Sequence, residues 1–253
     1  MWALILLTWE AAFRLVEWNV SLFPAPSHVA NGLAELFKVR PLTGSRPLIE
    51  GPIVSLVRLS IGFAAALAIG GVIGLLMWRF LEFDKMVGPL LLGFQTLPSV
   101  CWVPLAIATL REDETRILFV VVMGSFSAIA IALRDGLRMI PPVFQKAGLM
   151  LGADGWRLYR YVLLPASLPA MATSLRQGFA FAWRSLIGAE MLFVVMTNQG
   201  LGLVLNVAQG ARIKASAAQV VAVMMVMILI GMSADRLIFA PLQRRVRERF
   251  GLG

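Results

Sequence analysis

Met86–Leu110 is long enough to cross a bilayer and carries no charged residue, and the same holds for Ala215–Ala234. Three further apolar segments, Ile53–Met77, Ile117–Leu133 and Ala166–Val195, approach the roughly 20 residues that span a ~30 Å hydrocarbon layer. The chain has 253 residues, of which 59% are hydrophobic and 15% charged. A soluble domain carries roughly 25% charged residues, so burying this much apolar surface requires lipid. Period-2 alternation is absent from these segments, so the backbone is expected to satisfy its hydrogen bonds as helices rather than as a barrel. Met1–Val16 adds a short apolar stretch that lacks a basic leader region and contains Glu10 and Arg14. It reads as a retained first membrane helix rather than a cleaved signal. The expectation is an all-α integral membrane protein of about six transmembrane helices. Residues 1–52 hold the first helix and an interfacial amphipathic segment marked by Val29, Leu33, Leu36 and Phe37; residues 53–253 form the core domain.

A net charge of +9 raises the question of nucleic acid. The basic residues sit in short groups beside apolar runs, as at Arg157 and Arg160 or at Arg244, Arg245, Arg247 and Arg249. That placement fits the positive-inside rule rather than a nucleic-acid surface. With the N-terminus inside, the cytoplasmic side holds Arg79, Lys85, Arg134, Arg138, Lys146, Arg157, Arg160 and the four C-terminal arginines. The other side holds Lys38, Arg40, Arg46, Arg111, Arg116, Arg212 and Lys214, so both termini are expected in the cytoplasm. One cysteine, Cys101, and one histidine, His28, cannot build a structural zinc site or an intrachain disulfide. Cys101 reads as a small packing residue and His28 as a solvated loop residue.

The most polar break in the pattern lies at about residues 139–164. Pro141 and Pro142 stop the preceding helix. Val143, Ala147, Met150 and Leu151 then place one apolar face on a short helix, which Gly152 is suited to end in a left-handed cap. Asp154 is placed to cap a second short helix bearing Arg157 and Arg160, and Pro165 and Pro169 mark the return to the bilayer. From the residues alone, the segment is either an ordinary amphipathic loop or a docking surface for a partner.

The same segment resembles the "EAA" loop of permease subunits of ATP-binding-cassette importers. Ala147, Gly152, Val162, Leu164 and Pro165 fall in its register, while Lys146 replaces the glutamate and Gly148 the second alanine. The resemblance extends over nearly the whole chain. Trp9-Glu10, Leu22–Ser27, Ser55–Gly62, Gln95–Pro98 with Val103-Pro104-Leu105, Ala182-Trp183-Arg184, Ala189–Leu192 and Asn198–Gly202 are similar to the branch importing nitrate, taurine, aliphatic sulfonates or bicarbonate. Ala108-Thr109-Leu110 departs from that branch, which has a Trp-Phe-Gly-like segment there. The resemblance implies a type I importer permease fold with a cytoplasmic coupling helix, in a bacterial inner membrane. It implies a second permease copy or paralogue, two ATPase subunits that bind ATP and magnesium, and a solute-binding protein. It also assigns ATPase coupling to Lys146, Ala147, Gly148, Leu151, Gly152 and Arg157. No cofactor is expected in this chain.

Ionisable groups inside membrane helices cost about 2.5–3.5 kcal/mol each on insertion scales and are functional candidates by default. Arg58, Arg176, Arg184, Glu190 and Asp235 are such groups. Gln95 and Pro98 join Arg58, Arg176, Arg184 and Glu190 as candidates for the translocation path. Pro98 and Pro104 interrupt their helix, and irregular backbone at membrane depth is tolerated only beside protein or water. A cationic lining suits a small anionic solute; the competing reading pairs each arginine with a carboxylate for structure alone. Lys38, Lys85, Lys146 and Lys214 all lack the glycine and hydroxyl context of a G-x-x-x-x-G-K-[ST] phosphate loop, so energy is expected from a separate ATPase. An ion-gradient-driven transporter or channel is the rival, and it would call for inverted repeats and a buried carboxylate relay.

Overall fold

In the computed structural model, residues 2–16, 24–38, 46–193, 199–210 and 216–249 are described, and all regular structure among them is helical. The elements are α1 (Trp2–Val16), α2 (Pro26–Leu36), α3 (Pro47–Arg79), α4 (Leu81–Thr96), a 3₁₀ turn (Ser99–Trp102), α5 (Val103–Thr109) and α6 (Asp113–Arg138). They continue with α7 (Pro142–Met150), α8 (Gly155–Leu158), a π turn (Tyr159–Leu163), α9 (Leu164–Leu192), α10 (Leu201–Gly210), α11 (Ser216–Ala234), a second π turn (Asp235–Phe239) and α12 (Ala240–Arg249). Arg40, Arg212 and Lys214 of the charge count, and Asn198 of the Asn198–Gly202 motif, lie outside the described residues.

The core is built where α6 lies between α3 and α9. Gly70 and Gly74 make that approach possible: a Cβ on either would come within 2.5 and 2.6 Å of the Phe126 and Ala130 carbonyl oxygens. Gly70 and Gly74 are thus helix-packing positions of α3. Leu59, Ile117, Val120, Val121 and Leu186 fill the seam with α9, while Val29, Leu36, Leu201, Val204 and Val223 join α2, α10 and α11. By contrast α3 and α11 turn Ile53, Val57, Ile61, Val72, Ile228 and Leu229 outward, which suits lipid.

Three helices among the described residues are long and apolar enough to cross a membrane, at Pro47–Arg79, Asp113–Arg138 and Ala217–Val246. A fourth span arises if α4 and the Ser99–Thr109 segment, bent by 105°, count as one. This count goes by length and composition and leaves out two of the expected six: α1, described over 15 residues, and α9, whose 29 residues carry Arg176, Arg184 and Glu190. Neighbouring helices cover much of α9, so its polar residues need not meet lipid. The span beginning at Pro47 also starts ahead of the expected Ile53, with Pro52 inside its first turns.

Prolines set the breaks, in two ways. Pro98 forces Leu97 into extended backbone (φ −73°, ψ 124°), ending α4 and producing the expected bend. Pro165 instead sits inside a continuous helical run. The turn ahead of it widens, so that the Leu164 N–H donates to the Tyr159 carbonyl, five residues back. A proline has no N–H for the carbonyl four residues back and its ring crowds that carbonyl; one extra residue in the turn relieves the clash. The same device precedes Pro241, where the Ala240 N–H donates to the Asp235 carbonyl. The expected second basic helix with a proline-marked re-entry is therefore the start of α9 itself. Asp154 stands at the N-cap of α8 but its side chain makes no capping hydrogen bond.

At the α7 end, Asp84 accepts from Arg134 (2.9 Å) and Arg138 (2.8 Å), and Arg138 also donates to the Met77 carbonyl. This triad ties α3, α4 and α6 together. Replacing Asp84 with alanine leaves two guanidiniums sharing too few acceptors, and a loss of about 1–3 kcal/mol is expected. Thermal unfolding in detergent measures it; an unchanged midpoint would assign the triad no net stabilising role. Cys101 is exposed on the 3₁₀ turn rather than packed. His28 is not fully solvated, for it meets Phe13 edge-on at 5.5 Å.

Candidate functional site

A chain of cavities follows α9 from the α4–α5 break to α7. The first, of about 270 Å³, is lined by Gln95, Thr96, Pro98, Ser99, Gly124, Arg184 and Ser185. The second, of about 390 Å³, shares Arg184 and adds Arg176, Phe179, Trp183, Gly231, Asp235 and Phe239. Next comes a space of about 220 Å³ against Thr173, Gln243, Met139, Pro169 and Ala170. The last three of these residues also line the fourth cavity, of about 480 Å³, beside Pro141, Phe144 and Tyr161. The Arg176 to Gln243 hydrogen bond links the second to the third. Hydroxyl, amide and guanidinium groups thus line the first three stations, and apolar residues the last.

The two arginines of this groove differ in charge compensation. Arg184 donates only to the Ala180 carbonyl at 3.0 Å and lies 4.7 Å over the Phe181 ring. Among the described residues it forms no ion pair, so its charge faces the groove. Arg176 forms a two-pronged pair with Asp235, with Nη2 2.8 Å from Oδ2 and Nε on Oδ1. Of the expected path residues, Gln95, Pro98 and Arg184 therefore meet in one cavity and Arg176 lies in the next.

Arg58 and Glu190 are elsewhere, at the far end from α7. Arg58 donates to Glu190 Oε1 at 2.9 Å and to Glu114 Oε2 at 2.7 Å. Glu190 also accepts from the Ser55 hydroxyl at 2.8 Å and the Gly202 N–H at 3.0 Å, while the Leu201 N–H donates to Ser55. A carboxylate so placed meets the positive end of the α10 dipole and satisfies N–H groups that the helix leaves free. The side chain of Glu190 has 0% exposure and that of Arg58 6%. Gly200 and Gly202 make the approach possible, since a Cβ on either would collide with Glu190. This explains the Gly200-Leu201-Gly202 motif. Ser55 opens the Ser55–Gly62 motif, but its role there was not legible, and Glu114 carried no signal of its own; each finds its partner through a fold contact far along the chain. A second motif pair has a similar cause: Glu10 accepts from the Ser27 N–H and hydroxyl at the start of α2.

At the α7 end the glycine reading holds in detail. Gly152 has φ +78°, its N–H donates to the Leu149 carbonyl, and the Ala153 N–H donates to the Gly148 carbonyl. This is the Schellman closure that ends a helix on a left-handed residue. Gly148 is the buried position, pressed against Leu158 and Val162, which accounts for a residue smaller than alanine. Val143, Met150 and Leu151 are 62%, 88% and 88% exposed, so the apolar face of α7 points away from the bundle. Lys146 and Arg157 are exposed beside it and form no ion pair among the described residues. Stacking of Trp156 on Tyr159, and of Tyr159 near Trp78, fixes this platform to the end of α3.

The sequence profile of the binding-protein-dependent transport system inner membrane component family matches residues 62–248. A putative ABC transporter permease protein of Methanocaldococcus jannaschii is 31% identical over 92% of this chain and 85% of its own length. A nitrate import permease of Synechocystis is 29% identical over 54% of this chain, and a bicarbonate transport system permease of Synechococcus elongatus is 29% identical over 55%. In both cases the match spans half of the relative's length. A solved structure titled as an amino acid ABC transporter with histidines has a TM-score of 0.65 at 16% identity, covering 78% of this chain and 93% of that one; it shows the shared fold. An ion-gradient transporter or channel is thereby set aside, since the family works with an ATPase and a binding protein and the permease itself hydrolyses nothing. The chain belongs to the inner-membrane permease components of binding-protein-dependent ATP-binding-cassette importers.

Proposed function

We propose that this chain forms the translocation path for a small inorganic oxyanion of the nitrate or bicarbonate kind. The observation that carries the reading is Arg184: a guanidinium on α9, without a carboxylate partner among the described residues, lining a cavity of about 270 Å³ together with Gln95, Thr96, Ser99 and Ser185. Such a cation draws an anion out of water, and the hydroxyls and amide replace part of its hydration. Relatives named for nitrate and bicarbonate import support this class of solute.

The groove along α9 is open on one side, and a charged groove is not stable against lipid. A second permease subunit closes it, so that the path runs between the two. The exposed apolar face of α7, flanked by Lys146 and Arg157, docks in a cleft of an ATPase subunit, one under each permease. In this arrangement α7 and both termini lie in the cytoplasm of a bacterial cell, and Glu114 with α10 faces the solute-binding protein. Moving a gate from 1:99 to 99:1 takes about 5.5 kcal/mol of differential stabilisation, which nucleotide-driven closure delivers through α7.

Arg184→Gln is expected to reduce nitrate or bicarbonate uptake by roughly tenfold or more in proteoliposomes containing the ATPase and the binding protein, with assembly unchanged. Arg184→Lys, which keeps the charge, is expected to fall between. Wild-type uptake in the Gln variant would remove Arg184 from the path.

A further inference from the structure

Halfway along the groove, Asp235 closes the route that Arg184 opens. Its two carboxylate oxygens occupy the Nε and Nη2 donors of Arg176, leaving Nη1 to the Gln243 side-chain oxygen at 3.3 Å. A carboxylate is a planar, singly charged oxyanion with two oxygens at one edge. Nitrate and bicarbonate present the same edge to a guanidinium fork. Asp235 also begins the π turn ahead of Pro241, a stretch where the helical ladder is already widened. Neither partner is locked in the core, because the side chains of Arg176 and Asp235 are 48% and 37% exposed toward the groove. Phe179, Trp183 and Phe239 wall the cavity and lower the local polarity around the pair.

We propose that Arg176 is a second oxyanion site and that Asp235 is its built-in plug, occupying the fork until a solute anion coming from Arg184 displaces it. This rests on the anion reading above. The arriving oxyanion takes the Nε and Nη2 donors, and Asp235 swings away on the π turn. The Gln243 amide, with its side chain reversed, turns an N–H toward the anion. The plug keeps an empty path from leaking anions and sets selectivity, because only an oxyanion that matches the fork competes with a tethered carboxylate. Occupancy by Asp235 reduces the apparent affinity by the fraction of time the fork is free.

The test uses the purified permease–ATPase complex without binding protein, and reads thermal stabilisation by nitrate at ionic strength held with chloride. Asp235→Asn keeps the side-chain shape and removes the competing charge. It is expected to lower the half-stabilising nitrate concentration by roughly tenfold and to make acetate, inert toward the wild type, stabilising as well. Arg176→Lys added to Asp235→Asn keeps the charge but loses the fork, and is expected to cancel both gains, leaving only the nitrate response that Arg184 supports, while the complex still assembles. If Asp235→Asn only lowers the midpoint, with no gain for nitrate or acetate, or if the added Arg176→Lys leaves both gains intact, the pair is structural and the plug is overturned. A wild-type importer that takes up neither nitrate nor bicarbonate overturns the anion reading itself, whereas uptake that persists alongside unresponsive variants sinks only the plug.

Discussion

An Arg58→Met permease is expected to lose about 3–5 kcal/mol of stability, the cost of stranding one partner of a buried ion pair. Glu190 would be left at 0% side-chain exposure with the Ser55 hydroxyl and the Gly202 N–H as its remaining partners. Glu114 suffers less, because its side chain is 41% exposed and water replaces the guanidinium. The loss should appear in thermal unfolding and as freedom of α10, whose first turn is held by this node. Arg58→Met combined with Glu190→Leu removes both charges and is expected to recover much of the stability, since an apolar pair of similar volume avoids the desolvation of two ions. A double variant no more stable than the single would show that Ser55 and the α10 N–H groups, rather than the ion pair, depend on Glu190.

The second large effect concerns Gly152. At φ +78° the cost of a side chain is conformational, for an added Cβ meets nothing within 4 Å. Gly152→Val puts a β-branched residue into the left-handed region and is expected to open the Schellman closure, freeing the Gly148 and Leu149 carbonyls. Because α7 is anchored by that closure and by Gly148 against Leu158, its exposed face loses its orientation. Membrane insertion should persist while ATPase stimulation and solute uptake fall by tenfold or more, at roughly 1–2 kcal/mol of local strain. Gly152→Asn is the control, since asparagine tolerates this backbone, and it should stay near wild type. Equal activity of the valine variant would remove α7 from coupling; failed insertion would make Gly152 a folding residue.

The parts legible in advance are those whose physics is local. Hydropathy located the segments of α3, α6 and α11, and Pro98 its bend, because lipid transfer and a missing N–H act on neighbours in the chain. The Gly152 cap followed from the same kind of argument. α9 was located too, as Ala166–Val195, but its arginines and glutamate lower the apolar signal, and only the packing shows that other helices cover it. The fate of Asp154 and Pro165 was hidden: the Asp154 side chain makes no cap, and a π turn rather than a break accommodates the proline.

Five ionisable residues stood at membrane depth in the sequence, all equally anomalous by composition. Arg58 and Glu190 are 132 residues apart and became a buried clamp, while Arg176 and Asp235, 59 apart, became a pair across the groove. Arg184 has no carboxylate partner among the described residues. Periodicity states which face of a helix is apolar but not which face of another helix it meets. Amino-acid order alone therefore settled a multi-pass helical permease with a short, glycine-ended helix at α7. The meeting of α3, α6, α9 and α11 decided which charges were paired and which was not, because ion pairing is a property of helix faces brought within about 4 Å.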